Sequence, residues 1–80
     1  MSRARDVVAV IARALASRPE DVQVDESDRR GQTIIELTMA PGDLGRVIGR
    51  QGRTATALRT LAAAAGELDG KRAVVDFRDE

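Results

Sequence analysis

The chain contains no cysteine, no histidine, no tryptophan and no tyrosine, and only one phenylalanine. Each absence closes off a class of function. Without Cys there is no disulfide, and without Cys or His there is no thiolate or imidazole metal site. The common proton shuttle and the strongest natural nucleophile are missing too. Paired carboxylates remain as catalysts on paper, but 80 residues rarely enclose a pocket of small-molecule size. The expectation is a binding protein rather than an enzyme, with no metal and no cofactor. A single aromatic ring argues against modules that stack bases on aromatic platforms, such as RNA-recognition motifs and most OB-folds. No apolar run approaches the roughly 20 residues of a membrane helix, and the start of the chain lacks a signal-peptide core. A cytoplasmic location, away from membranes, is therefore expected.

What remains is a single domain over residues 1–80. Hydrophobic residues make up 42% of it, but 13 of them are alanine, which leaves few large side chains for a core. A chain this small buries only about 60% of its unfolded surface. With disulfides and metals excluded, a partner subunit is the remaining way to add buried surface.

The formal net charge is zero, yet its distribution is uneven. Glu20, Asp21, Asp25, Glu26 and Asp28 form an acidic stretch without a base. From Leu44 to Ala65 the order reverses: Arg46, Arg50, Arg53 and Arg59 occur with no acid between them. A neutral protein can thus present a local positive patch.

Apolar spacing of three and four at Val7, Val8, Ile11 and Leu15 predicts an amphipathic helix over Arg3–Ala16, stopped by Pro19. Val22 and Val24 alternate with polar residues, predicting a strand from Asp21 to Ser27. Asp28-Arg29-Arg30-Gly31 reads as a hairpin turn. A second strand follows over Gln32–Met39, where Ile34 interrupts the alternation of Ile35, Leu37 and Met39 and predicts burial on both faces. Pro41 and Asp43 suit the start of a short helix, Pro41–Ile48, ended by Gly49. A longer helix, Gly52–Ala65, has Ala55, Leu58, Leu61, Ala62 and Ala65 inward and Gly66 as its C-cap. Val74, Val75 and Phe77 mark a last strand, Arg72–Arg78. The predicted architecture is α+β in the order α-β-β-α-α-β, a three-stranded mixed sheet covered on one face by three helices.

The informative segment is Gly45-Arg46-Val47-Ile48-Gly49-Arg50-Gln51-Gly52-Arg53, between two helices. Gly49 and Gly52 permit a sharp turn whose peptide groups a phosphate can approach closely. The next helix directs its free N–H groups and positive dipole end to the same place. Arg50 and Arg53 add charged donors for phosphate oxygens, and Val47 and Ile48 offer an apolar floor for unpaired bases. A nucleotide P-loop is excluded because no Lys-Ser/Thr follows the glycines. A dinucleotide fingerprint fails because a helix, not a strand, precedes them. A DNA-binding helix-turn-helix with Arg53–Thr60 as recognition helix stays open, as does a purely structural helix corner. Gly45 has two readings of its own, close helix packing or a place near the ligand.

Val47-Ile48-Gly49-Arg50-Gln51-Gly52-Arg53 in this element order resembles the signature of type II KH domains. Pro19-Glu20-Asp21-Val22-Gln23-Val24, Ile35-Glu36-Leu37 and Ala40-Pro41, followed by Asp43, Gly45, Val47, Ile48 and Gly49, extend the resemblance to the KhpA family of small bacterial KH proteins, over essentially the whole chain. That resemblance implies a cytoplasmic RNA-binding protein with post-transcriptional roles in cell elongation and division. It implies a homodimer, or a heterodimer with a KhpB-type (Jag/EloR) KH protein. The family's loop maps onto Gly49, Arg50, Gln51 and Gly52, and Arg50 stands where many relatives have Lys. KH domains clamp about four single-stranded nucleotides. One such site binds weakly, and pairing two raises effective concentration.

Overall fold

Ser2 opens the first helix by accepting the Arg5 amide on its hydroxyl at 3.0 Å. The helix, α1, runs Arg3–Leu15. It is followed by β1 (Gln23–Arg29), β2 (Gln32–Met39), α2 (Pro41–Ile48), α3 (Arg53–Leu68) and β3 (Arg72–Asp79), with one-turn 3-10 segments at Pro19–Asp21 and Arg50–Gly52. The computed structural model describes residues 2–79. The order α-β-β-α-α-β and the mixed three-stranded sheet match the expected α+β architecture.

β2 is the central strand. It pairs antiparallel with β1, Val24 opposite Leu37, and parallel with β3, Ile35 opposite Val75. Thr33, Ile35, Leu37 and Met39 face the helices and are buried. Gln32, Ile34, Glu36 and Thr38 are only half covered on the other side. The double-sided burial predicted from Ile34 is thus not reached, because the three helices all lie on one face.

The α1 stripe is rotated from the predicted one. Ala4, Val8, Ala9 and Ala12 are buried, Val7 and Ile11 are partly covered, and Leu15 is exposed. Small side chains let α1 lie close against α3, which runs beside it in the opposite sense: the Arg3 guanidinium donates to the Leu68 carbonyl at 3.1 Å and to Asp69 at 3.0 Å. On α3 the inward residues are Ala55, Leu58, Ala62, Ala65 and Gly66, while Leu61 is 50% exposed. Gly66 is not the cap. The helix continues to Leu68 and closes in a Schellman motif, with Lys71 N–H donating to Gly66 O at 2.9 Å and Gly70 N–H to Glu67 O at 3.0 Å. Gly70, at φ +70°, holds the left-handed position. Gly66 is needed for closeness instead, since a Cβ there would lie 2.9 Å from the Ala73 Cβ.

β1 starts two residues later than predicted because Pro19–Asp21 curls into a 3-10 turn. It also runs to Arg29, so the hairpin loop is only Arg30-Gly31, both in the left-handed region at φ +54° and +77°. Asp43 is buried at 3% exposure. Its carboxylate accepts the Ser17 hydroxyl at 2.7 Å and the Ser17 and Arg18 amides at 3.1 and 3.0 Å. These bonds fix the start of α2 to the exit of α1, and they hold the Asp43 carboxyl below the usual carboxylate range, the Ser17 hydroxyl contributing most.

Candidate nucleic-acid interface

Gly49 stops α2 by adopting φ +74°, ψ 177°, a region essentially restricted to glycine. Gln51 and Gly52 follow in the left-handed region at φ +57° and +71°. The chain therefore reverses within one 3-10 turn, closed by Gly52 N–H donating to Gly49 O at 3.2 Å. A Cβ on Gly49 would lie 2.8 Å from the Thr54 Cβ, so Thr54 packs directly against the loop. α3 then begins with no side-chain cap and no acid in its first turn. Its leading N–H groups and positive dipole end are directed at the loop.

The loop opens onto a cleft of about 600 Å3 between α3 and β3. Ile48, Gln51 and Gly52 line its loop end, Ala55, Thr56 and Arg59 the α3 wall, and Asp76, Phe77 and Arg78 the β3 wall. The Arg59 guanidinium lies over the Phe77 ring, 4.8 Å from its centroid. Because β3 is an edge strand, its outer backbone N–H and C=O groups have no strand partner, and of these the Val75 carbonyl accepts from the Arg59 Nε at 3.5 Å. The lining is aliphatic at Ile48 and Ala55 and polar at Gln51 and Thr56, with Arg59 and Arg78 as its cations and Asp76 as its carboxylate. Such a surface suits an unpaired nucleotide strand.

The predicted residues separate into groups. Gly49, Arg50, Gln51 and Gly52 form the turn itself. Arg50 is exposed, and among the described residues no carboxylate lies within 4 Å of it or of Arg53. Arg53 donates to the Gln51 side chain at 3.3 Å. Ile48, 36% exposed, lines the cleft. Val47 does not, because it is fully buried and supports the loop from the core. Arg46 turns back toward Asp43, with Nε 3.9 Å from its Oδ1. A Cβ on Gly45 would meet nothing within 4 Å, so helix packing does not require glycine there.

Sequence reasoning had not assigned Ala55, Thr56, Arg59, Asp76, Phe77 and Arg78 to the site. Arg59 was visible as part of the acid-free arginine run. The β3 wall was not legible, since which strand borders α3 depends on the sheet order.

The KhpA/KhpB KH-domain family model matches residues 5–77. The RNA-binding protein KhpA of Mycobacterium tuberculosis is 50% identical over 72 residues, 89% of each chain. That of Caldanaerobacter subterraneus is 46% identical over 72 residues, covering 90% of this chain and 96% of the relative. That of Clostridium perfringens is 43% identical over 73 residues, covering 91% and 97%. Among solved structures, Era from Aquifex aeolicus superimposes with a TM-score of 0.63 at 18% identity, over 95% of this chain and 29% of that one, a likeness of fold. The glycine-centred turn, the cleft beside it and the family match over residues 5–77 together place this chain in the KhpA/KhpB KH-domain family.

Proposed function

We propose that this protein binds single-stranded RNA in the cleft between α3 and β3, with the Gly49-Arg50-Gln51-Gly52 turn gripping the backbone phosphates of about four nucleotides. The observation that carries the reading is the turn itself. Three of its residues, Gly49, Gln51 and Gly52, hold positive φ angles at the uncapped start of α3. Close relatives bear the name RNA-binding protein, and the role is binding rather than catalysis. Arg50 and the first amides of α3 take the phosphates, while Ile48 and the β3 wall meet the bases. A gel competition tests it: labelled single-stranded RNA is displaced by unlabelled single strand and not by duplex RNA or DNA. Preferential displacement by duplex DNA contradicts it in favour of a helix-turn-helix mode.

The working unit in this proposal is a pair, either two copies or one copy with a KhpB-type KH protein. Its cellular role is cytoplasmic and post-transcriptional, in cell elongation and division. Pairing is supported by α3, where Ala57, Leu61, Ala64 and Leu68 are all exposed at the four- and three-residue spacing of a helix-packing seam. Leu61 and Leu68 are 50% and 73% exposed, and Val10 on the neighbouring α1 is 68% exposed. No described helix is long and apolar enough to cross a membrane. Sedimentation equilibrium checks the pairing. Leu61→Glu shifts the wild-type dimer to monomer, and a wild type that sediments as a monomer at all concentrations contradicts it.

A further inference from the structure

The cleft beside the loop does not end at Arg59. It shares Thr56 and Arg59 with a second, smaller groove that continues along α3 and β3 to Arg72. Arg72 in turn lines a depression at the hairpin together with Arg29, Arg30, Gly31 and Gln32. Concave surface therefore runs the length of β3, about 20 Å from Arg78 to Arg72 at the usual strand rise. At its far end Arg29, Gln32 and Arg72 form one row across the three strands.

These arginines are not neutralised. Among the described residues no carboxylate lies within 4 Å of Arg29, Arg30 or Arg72. The acidic row Asp25, Glu36 and Asp76 lies four residues further along each strand, about 13 Å away and beyond the Debye length of about 8 Å. Asp28 is closer in sequence, but it is held by Lys71 at 3.1 Å and Thr33 at 3.0 Å. Arg30 adds a second sign. It occupies the first position of a two-residue turn at φ +54°, where Asn, Asp or Gly is the residue such a turn favours. The turn carries a charge in place of the residue best suited to its backbone.

We propose that RNA leaving the loop follows the open edge of β3 and is gripped a second time by Arg29, Arg30 and Arg72. The protein's footprint is then longer than the about four nucleotides held beside the loop. The proposal rests on the RNA-binding reading above, and short and long RNA separate the two. In fluorescence anisotropy with labelled random-sequence single strands of five and fifteen nucleotides, the variant Arg29→Gln/Arg30→Asn/Arg72→Gln binds the five-mer as the wild type does. It loses the extra affinity the wild type has for the fifteen-mer. Three fewer phosphate contacts lower the salt slope by about 2, so between about 50 and 200 mM salt the wild-type affinity for the fifteen-mer falls about 18-fold further than the variant's. Arg30→Asn alone keeps or raises the melting temperature while weakening the fifteen-mer, which separates charge from folding. Equal affinity and equal salt dependence of the triple variant and the wild type on the fifteen-mer overturn the proposal. A wild type that binds neither RNA overturns both readings. An Arg50→Asp/Gln51→Asp variant that still holds the five-mer overturns the loop reading alone.

Discussion

The Arg59 guanidinium sits 4.8 Å from the centroid of the Phe77 ring, and its Nε lies 3.5 Å from the Val75 carbonyl oxygen. The chain's one aromatic ring is thus covered by a planar cation at the centre of the cleft. A guanidinium plane can stack on a base much as an aromatic ring does. A protein without exposed aromatics therefore still has a stacking surface, bridging the wall formed by α3 and the wall formed by β3.

Replacing that plane should weaken RNA binding more than replacing the charge. Arg59→Ala is expected to cost about 1–3 kcal/mol of binding, the range for losing one base-stacking contact. Arg59→Lys keeps the salt dependence but recovers little of the affinity, because an ammonium offers no plane. Anisotropy titrations at two salt concentrations distinguish the two variants. Arg59→Lys binding like wild type would remove stacking from the account.

The two loop glycines should differ in what they tolerate. Gly49 combines φ +74° and ψ 177° with a Cβ position 2.8 Å from the Thr54 Cβ, so Gly49→Ala adds a clash to backbone strain of about 1–3 kcal/mol. Gly52 is left-handed at φ +71° with open space around it, and Gly52→Ala costs about 1–2 kcal/mol from the backbone alone. Thermal unfolding followed by circular dichroism checks the order. At about 4–8 °C per kcal/mol for a domain of this size, Gly49→Ala melts several degrees below Gly52→Ala.

Asp43 gives the fold an acid-sensitive clasp. Hydrogen bonds from Ser17 and Arg18 lower its folded-state pKa, so the unfolded chain binds its proton more readily than the folded one. The stabilisation is then complete above the unfolded value of about 4 and is lost as pH falls through the lower folded value. Asp43→Asn should melt below wild type at neutral pH, and the gap should narrow below about pH 4. Melting curves from pH 7 to pH 3 read this directly, and a gap independent of pH would assign the loss to packing alone.

Local signals carried much of the fold into the sequence. Pro41, Gly49 and the apolar alternation of Ile35, Leu37 and Met39 placed α2 and β2 with the bounds found in the structure, because caps and breakers act within a few residues. The glycine turn was legible for the same reason. What failed depended on partners. On α3 the inward places of Ala55, Leu58, Ala62 and Ala65 were legible, but the buried stripe of α1 is Ala4, Val8, Ala9 and Ala12, and its alanines mark close helix approach only once the neighbour is known. Periodicity gave the larger Leu15 and Leu61 inward places that the structure leaves exposed. The β3 wall of the cleft was hidden because two strands flank β2 and nothing local says which of them lies beside α3. Val47 shows the reverse case: it sits inside the motif but belongs to the core.

The most direct test of the account is binding of single-stranded RNA by Arg50→Asp/Gln51→Asp, measured by anisotropy alongside a circular dichroism melt. Arg50 is exposed, and Asp tolerates the left-handed backbone at Gln51, so the variant should fold and melt as wild type. The account predicts at least about a tenfold loss of affinity, the lower end of what a charge-assisted phosphate contact is worth. A folded variant that binds RNA as tightly as wild type would contradict it.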